Sequence, residues 1–69
     1  MFKWEKLAEE IRLTTKYNIE ESRRIISLIV SVFQVIDEGQ IKKAYDELNT
    51  KTPTGILEHL ENYSKTVGI

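Results

Sequence analysis

The chain of 69 residues contains no cysteine, a single proline and a single histidine. Because no disulfide can form, a domain of this size depends on its packing or on association with another chain. A zinc site without thiolates would rest on His59 and carboxylates, so we expect neither a metal nor a cofactor. The absence of cysteine suits a reducing compartment, and we expect one cytoplasmic domain over residues 1–69.

The chain also lacks an excess of charge of either sign. Its formal net charge is −1. Residues 1–24 contain six basic and five acidic side chains, and residues 25–69 contain four basic and six acidic side chains. Neither half attracts nucleic acid by its bulk charge. The main apolar run, residues 25–36, is shorter than the roughly 20 residues that cross a bilayer. The first residues lack the apolar core of a signal peptide, so we expect no contact with a membrane.

Residues 25–36 are the most informative segment, because nine of the twelve are large and apolar. Seven of these nine are β-branched, which favours a strand. The run nevertheless exceeds the usual length of a strand, and its polar residues Ser27, Ser31 and Gln34 fall on one helical stripe. A helix is therefore the preferred interpretation.

Helix-ending residues and apolar spacing predict four helices, over residues 2–16, 19–38, 40–49 and 53–66. Asn18 and Glu21 have the spacing of a capping box, and Gly39 is expected to end the second helix. Thr52 and Pro53 are expected to begin the fourth helix. The apolar stripes of helices one, three and four consist of Trp4, Leu7, Ala8 and Ile11; of Ile41, Ala44, Tyr45 and Leu48; and of Ile56, Leu57, Leu60, Tyr63 and Val67.

The second helix is expected to lie at the centre of the fold. Its apolar side chains cover about 220° of its circumference, so most of its surface needs cover. The three other helices can supply that cover, which predicts an all-α fold, a compact bundle of four helices with a long, mostly buried second helix. A homodimer that pairs two copies of this helix is the alternative, because twofold interfaces are the commonest in oligomers.

Residues 7–39 are similar in layout to the N-terminal helical hairpin of HU-type histone-like proteins, with a short helix, a polar turn, a long apolar helix and a closing glycine. The strands and basic DNA-embracing arms of that family have no counterpart after Gly39. The similarity therefore implies no function for this chain.

No catalytic motif is present in the sequence. His59 lies at the edge of the fourth apolar stripe beside Glu58, and no second histidine is available to orient or assist it. Neighbouring acidic residues point about 100° apart on a helix, so none of the acidic pairs is a preformed two-carboxylate site. We expect a chain that is not an enzyme and has no catalytic residues.

Binding to another protein is the leading hypothesis for function. The chain would act as a regulator, inhibitor or adaptor of a larger protein, either alone or as a homodimer. Phe2, Trp4 and Tyr17 are the predicted anchors, because aromatic side chains often dominate binding energy. Their alternative role is to close the ends of the core.

A small DNA-binding regulator is the second hypothesis. Arg23, Arg24, Lys42 and Lys43 would form its basic patch. Glu20 and Glu21 stand one helical turn before the two arginines, so they are expected to neutralise part of this charge.

Overall fold

The computed structural model describes residues 2–52 and 55–66 of the chain. These residues contain no strand and form four helices, α1 (Glu5–Thr14), α2 (Ile19–Phe33), α3 (Glu38–Lys51) and α4 (Ile56–Thr66). They fold into a bundle that measures 28 × 25 × 19 Å. The predicted all-α fold and the compact bundle of four helices are confirmed.

The first helix buries three of the four residues of its predicted stripe, while the fourth, Trp4, precedes α1 and is half-buried. Leu7, Ala8 and Ile11 are 3 %, 0 % and 2 % exposed, and α1 packs against α2. Leu13 lies off the stripe and is 71 % exposed. The spacing of apolar residues at three and four positions therefore predicts correctly which face of α1 is buried.

A capping box begins α2, as predicted. The side chain of Asn18 accepts a hydrogen bond from the backbone N–H of Glu21 at 2.8 Å, and Glu21 Oε1 accepts one from the backbone N–H of Asn18 at 3.0 Å. The buried hydroxyl of Ser22 donates to the carbonyl oxygen of Asn18 at 2.9 Å. The backbone N–H groups of Asn18 and Glu21, which have no backbone acceptor within the helix, thus each have a side-chain partner.

The first half of α2 forms the centre of the core. Ile25, Ile26 and Ile29 are 0 % exposed, and α2 contacts α1, α3 and α4. Full burial of one such side chain contributes about 1.5–3 kcal/mol. Ser27 and Ser31 face solvent, as expected for the narrow polar strip. The predicted central position of this helix is confirmed for its first half.

The predicted end of α2 is wrong by five residues. The helix ends at Phe33, because Gln34 adopts a left-handed conformation with φ of 54°. The carboxylate of Asp37 then accepts a hydrogen bond from the backbone N–H of Gln40 at 3.2 Å and begins α3. Gly39 therefore lies inside α3 instead of ending α2. An aspartate at this position is a strong N-cap, so α3 starts at Glu38, two residues before its predicted start at Gln40.

This early end leaves apolar side chains without full cover. Val30, Val32 and Val35 are only half-buried. Phe33 is 43 % exposed and Ile36 is 68 % exposed. The second half of α2 and the segment after it are consequently open to a neighbour.

The boundary between α3 and α4 also differs from the prediction. Thr52 ends α3 instead of beginning α4, since its backbone N–H and its hydroxyl donate to the carbonyl oxygen of Leu48 at 2.8 and 2.7 Å. Pro53 and Val67 lie outside the described residues. Ile56, Leu57 and Leu60 are buried as predicted, whereas Tyr63 is 45 % exposed.

The left-handed residue at the end of α2 generates a stability prediction. We expect Gln34→Gly to raise the free energy of unfolding by about 0.5–1 kcal/mol, because glycine adopts a positive φ without strain. Gln40→Gly, inside α3, is the matched control and should lower it by about 1 kcal/mol. Urea unfolding measures both. Equal losses in the two variants would mean that α2 continues through Gln34.

Candidate functional site

A groove of about 450 Å³ lies between α3 and the end of α2. Its apolar residues are Phe33, Val35, Ala44 and Leu48, and its polar residues are Gln40, Lys43, Glu47 and Lys51. The four polar residues are exposed, while Val35, Ala44 and Leu48 are half-buried. We call this feature the α2–α3 groove.

The sequence of α3 explains why the groove exists. Ile41 and Tyr45 are 0 % and 6 % exposed and fix the helix to the core. Ala44 and Leu48 lie beside them on the same helix, where three- and four-residue spacing produces one continuous face. Because the chain leaves the helical conformation at Gln34, no further turn of α2 covers this face.

Exposed apolar side chains continue beyond the groove. The rings of Phe33 and Tyr63 stack with their centroids 6.4 Å apart and their planes at 23°. With Ile36, these are three of the four large apolar side chains that are exposed in the described part of the chain. Phe33 and Tyr63 thus extend the apolar lining of the groove toward α4.

Two lysines give the polar side of the groove a net positive charge. Within residues 2–52 and 55–66, no carboxylate lies within 4 Å of the ammonium nitrogen of Lys43 or Lys51. Lys42, next in sequence, is instead paired with Asp46 at 3.8 Å. Glu47, the acidic residue of the groove, likewise has no ion-pair partner among the described residues.

No family model, curated protein or solved structure matches this chain. None of the helices described here combines the length and the apolar character that crossing a bilayer requires.

Two of the predicted aromatic anchors lie at the start of α1. The rings of Phe2 and Trp4 meet edge to face with centroids 5.8 Å apart, and both side chains are half-buried against the core. The Lys3 ammonium lies 5.4 Å from the centre of a Trp4 ring. Neither aromatic residue lines the α2–α3 groove. A partner-binding role for Phe2 and Trp4 stays a prediction.

The third predicted anchor, Tyr17, is only 7 % exposed. Its hydroxyl accepts a hydrogen bond from the backbone N–H of Leu57 and donates one to Glu58 Oε1, both at 3.3 Å. Burial raises the pKa of Tyr17 above its ordinary value, although the Leu57 N–H acts in the opposite direction. This environment favours the alternative role of closing the core.

The two arginines of the predicted basic patch are engaged in ion pairs with different helices. Arg23 donates to both carboxylate oxygens of Glu5 in α1, with Nη2–Oε1 at 2.9 Å and Nε–Oε2 at 3.0 Å. Arg24 Nε donates to Glu61 Oε2 in α4 at 2.8 Å. The hydrogen bonds that Arg23 donates to Glu5 raise the pKa of Arg23. A phosphate would have to compete with these carboxylates for either arginine.

The two lysines of that patch line different cavities. Lys43 borders the α2–α3 groove, while Lys42 borders a cavity of about 400 Å³ between α1 and α3, together with Leu13 and Tyr45. The structure thus does not bring the four basic residues into one continuous patch. DNA binding by Arg23, Arg24, Lys42 and Lys43 stays a prediction.

No group of three or more histidine, aspartate or glutamate side chains in the described residues is arranged to hold a metal ion. His59 is exposed on α4. The lining of the α2–α3 groove includes neither a histidine nor a hydroxyl group. Its ionisable groups are those of Lys43, Glu47 and Lys51.

Of the residues that line the groove, the sequence interpretation included only Lys43 in a candidate site, as part of the basic patch. It assigned Val35 and Ile36 to a continuous helix and Ala44 and Leu48 to a buried stripe. The overlooked signal is Asp37. It lies three residues before Gln40, and at this spacing the side chain of an N-cap residue accepts a hydrogen bond from the backbone N–H.

The buried hydroxyl of Tyr17 generates a prediction on stability and pH. Tyr17→Phe should lower the free energy of unfolding near pH 7 by about 0.5–1.5 kcal/mol, because two hydrogen bonds are lost. Since the pKa of Tyr17 is raised in the folded state, its contribution falls once the pH exceeds the ordinary tyrosine value of about 10 and approaches the folded value. As the pH rises above about 10, the free energy of unfolding should therefore fall less in the variant than in the parent chain.

Thermal unfolding between neutral and alkaline pH measures this effect. Tyr63→Phe, in which the ring is partly exposed, is the control and should change stability by less than about 0.5 kcal/mol. If Tyr17→Phe follows the parent chain in parallel through the alkaline range, the proposed environment of Tyr17 is incorrect.

Proposed function

We propose that this chain is a small non-enzymatic protein-interaction module that binds a larger protein through the α2–α3 groove. The observation that supports the proposal most is the apolar surface formed by Phe33, Val35, Ala44 and Leu48, which the single chain covers only in part. Covering such surface contributes about 25 cal/mol per Å² of apolar area. The chain would act as a regulator, inhibitor or adaptor of its partner.

The distribution of residue types around the groove supports the same function. Protein interfaces place apolar and aromatic side chains at the centre and polar side chains at the edge. Phe33 and Tyr63 supply two aromatic rings beside the groove, and aromatic side chains often carry most of the binding energy. Lys43 and Lys51 supply charge at its exposed side.

The size of the chain determines how much of its surface an interface would cover. A stable interface buries about 800 Å² on each protein. The described chain exposes 4657 Å² in total, so such an interface would cover roughly a sixth of it. The groove, together with the Tyr63 ring that stacks on Phe33, would form the centre of this area, and the polar faces of α3 and α4 its edge.

A homodimer and a cytoplasmic location are further parts of this proposal. The unpaired second half of α2 is compatible with a second copy, because Val30 and Val32 are only half-buried. No specific observation favours the DNA-binding alternative, since both arginines that it needs are ion-paired.

Capture experiments with groove variants test the proposed function. Ala44→Arg should fill the groove with a long charged side chain while leaving the core residues Ile41 and Tyr45 in place. We expect proteins retained from an extract of the native host by the parent chain to be retained at least tenfold less by this variant, which is about 1.4 kcal/mol in binding. Each retained protein is then purified and its affinity measured by calorimetry.

Ser27→Arg is the matched control, because it introduces the same side chain at a small, exposed helical position outside the groove. Circular dichroism should show that both variants fold like the parent chain. Equal affinity of Ala44→Arg and Ser27→Arg for every purified partner would contradict binding through the groove.

A further inference from the structure

The residues that α3 contributes to the groove form a track that matches a second helix. Gln40, Lys43, Ala44, Glu47, Leu48 and Lys51 recur at intervals of three and four residues. At 1.5 Å per residue, this track is about 16 Å long, which corresponds to three turns of a facing helix. Phe33 and Val35 border it on the side of α2.

One edge of this track carries alternating charges. Lys43, Glu47 and Lys51 are spaced four residues apart, so the Cβ atoms of neighbouring members lie about 6 Å apart along the edge. None of the three has an ion-pair partner in the described chain, whereas Arg12, Arg23, Arg24 and Lys42 each lie within 4 Å of a carboxylate. The edge is thus available to a partner without the loss of an internal pair.

From this charge pattern we infer that the occupant of the groove is an amphipathic helix of a partner protein with acidic, basic and acidic side chains at positions i, i+4 and i+8. The inference rests on the proposed function and adds the chemistry of the partner. The two acidic groups face Lys43 and Lys51, and the basic group faces Glu47. The apolar stripe of the partner helix packs against Phe33 and Leu48.

A second copy of the chain fits this edge less well. A twofold antiparallel arrangement shifted by one turn pairs Lys43 with Glu47 but leaves Lys51 of both copies unpaired, and one centred on Glu47 places Glu47 opposite Glu47 and Lys43 opposite Lys51. Like charges across an interface oppose association. A partner helix with a net charge of −1 along its own edge is complementary instead.

Two labelled helical peptides of about 18 residues, long enough to form several turns, test the inference. The matched peptide carries Glu, Lys and Glu at i, i+4 and i+8, and the swapped peptide carries Lys, Glu and Lys beside an identical apolar stripe. Fluorescence anisotropy with the full chain should give a Kd about tenfold lower for the matched peptide. Attraction by overall charge would act the other way, because the chain has a net charge of −1.

The charge-reversed protein with Lys43→Glu, Glu47→Lys and Lys51→Glu should prefer the swapped peptide. These three side chains are exposed, so we expect circular dichroism to show an unchanged fold. Lys65→Glu, on α4 and outside the groove, is the control and should keep the preference of the parent chain.

Three outcomes would overturn the inference: equal binding of the two peptides, binding of neither, or an unchanged preference in the charge-reversed protein. A dimer mass in light scattering that Ala44→Arg converts to a monomer mass would also overturn it, because a second copy would then occupy the groove. None of these outcomes decides whether the groove binds a larger protein, which the capture experiment with Ala44→Arg and Ser27→Arg tests separately.

Discussion

The burial of three isoleucines in the first half of α2 is the interaction on which the structure depends. Ile25, Ile26 and Ile29 are 0 % exposed, and α2 contacts each of the other three helices. Without a disulfide, a chain of this length has few other sources of stability. The capping box at Asn18 fixes where α2 begins, and the burial of the following turns then determines where the other helices pack.

The end of α2 converts this stable centre into an open surface. Gln34 turns the chain out of the helix and Asp37 starts α3, so Phe33, Val35 and Ile36 fall at a corner that no other helix covers fully. The same corner brings Ala44 and Leu48 of α3 beside Phe33. One short connection therefore produces both the separation of α2 from α3 and the groove between them.

The fold could be predicted from the sequence more fully than the site. The spacing of Leu7, Ala8 and Ile11 and the capping box at Asn18 are local signals, and local signals determine which segments are helical. Local spacing alone does not decide between Gly39 as a stop and Asp37 as a start, because both residue types are typical of a helix boundary. Because the groove lies at that connection, an error of five residues in one helix end concealed it.

Cysteine labelling tests most directly whether the middle of α2 is buried while its end is open. The chain contains no cysteine, so single variants Ile29→Cys and Phe33→Cys each carry one reactive thiol. With Ser27→Cys as the exposed reference, we expect Phe33→Cys to react within about tenfold of it and Ile29→Cys at least about a hundredfold more slowly, because the buried thiol reacts only after opening of the fold. Equally slow reaction at both positions would contradict the open surface at the end of α2, and equally fast reaction would contradict the buried centre.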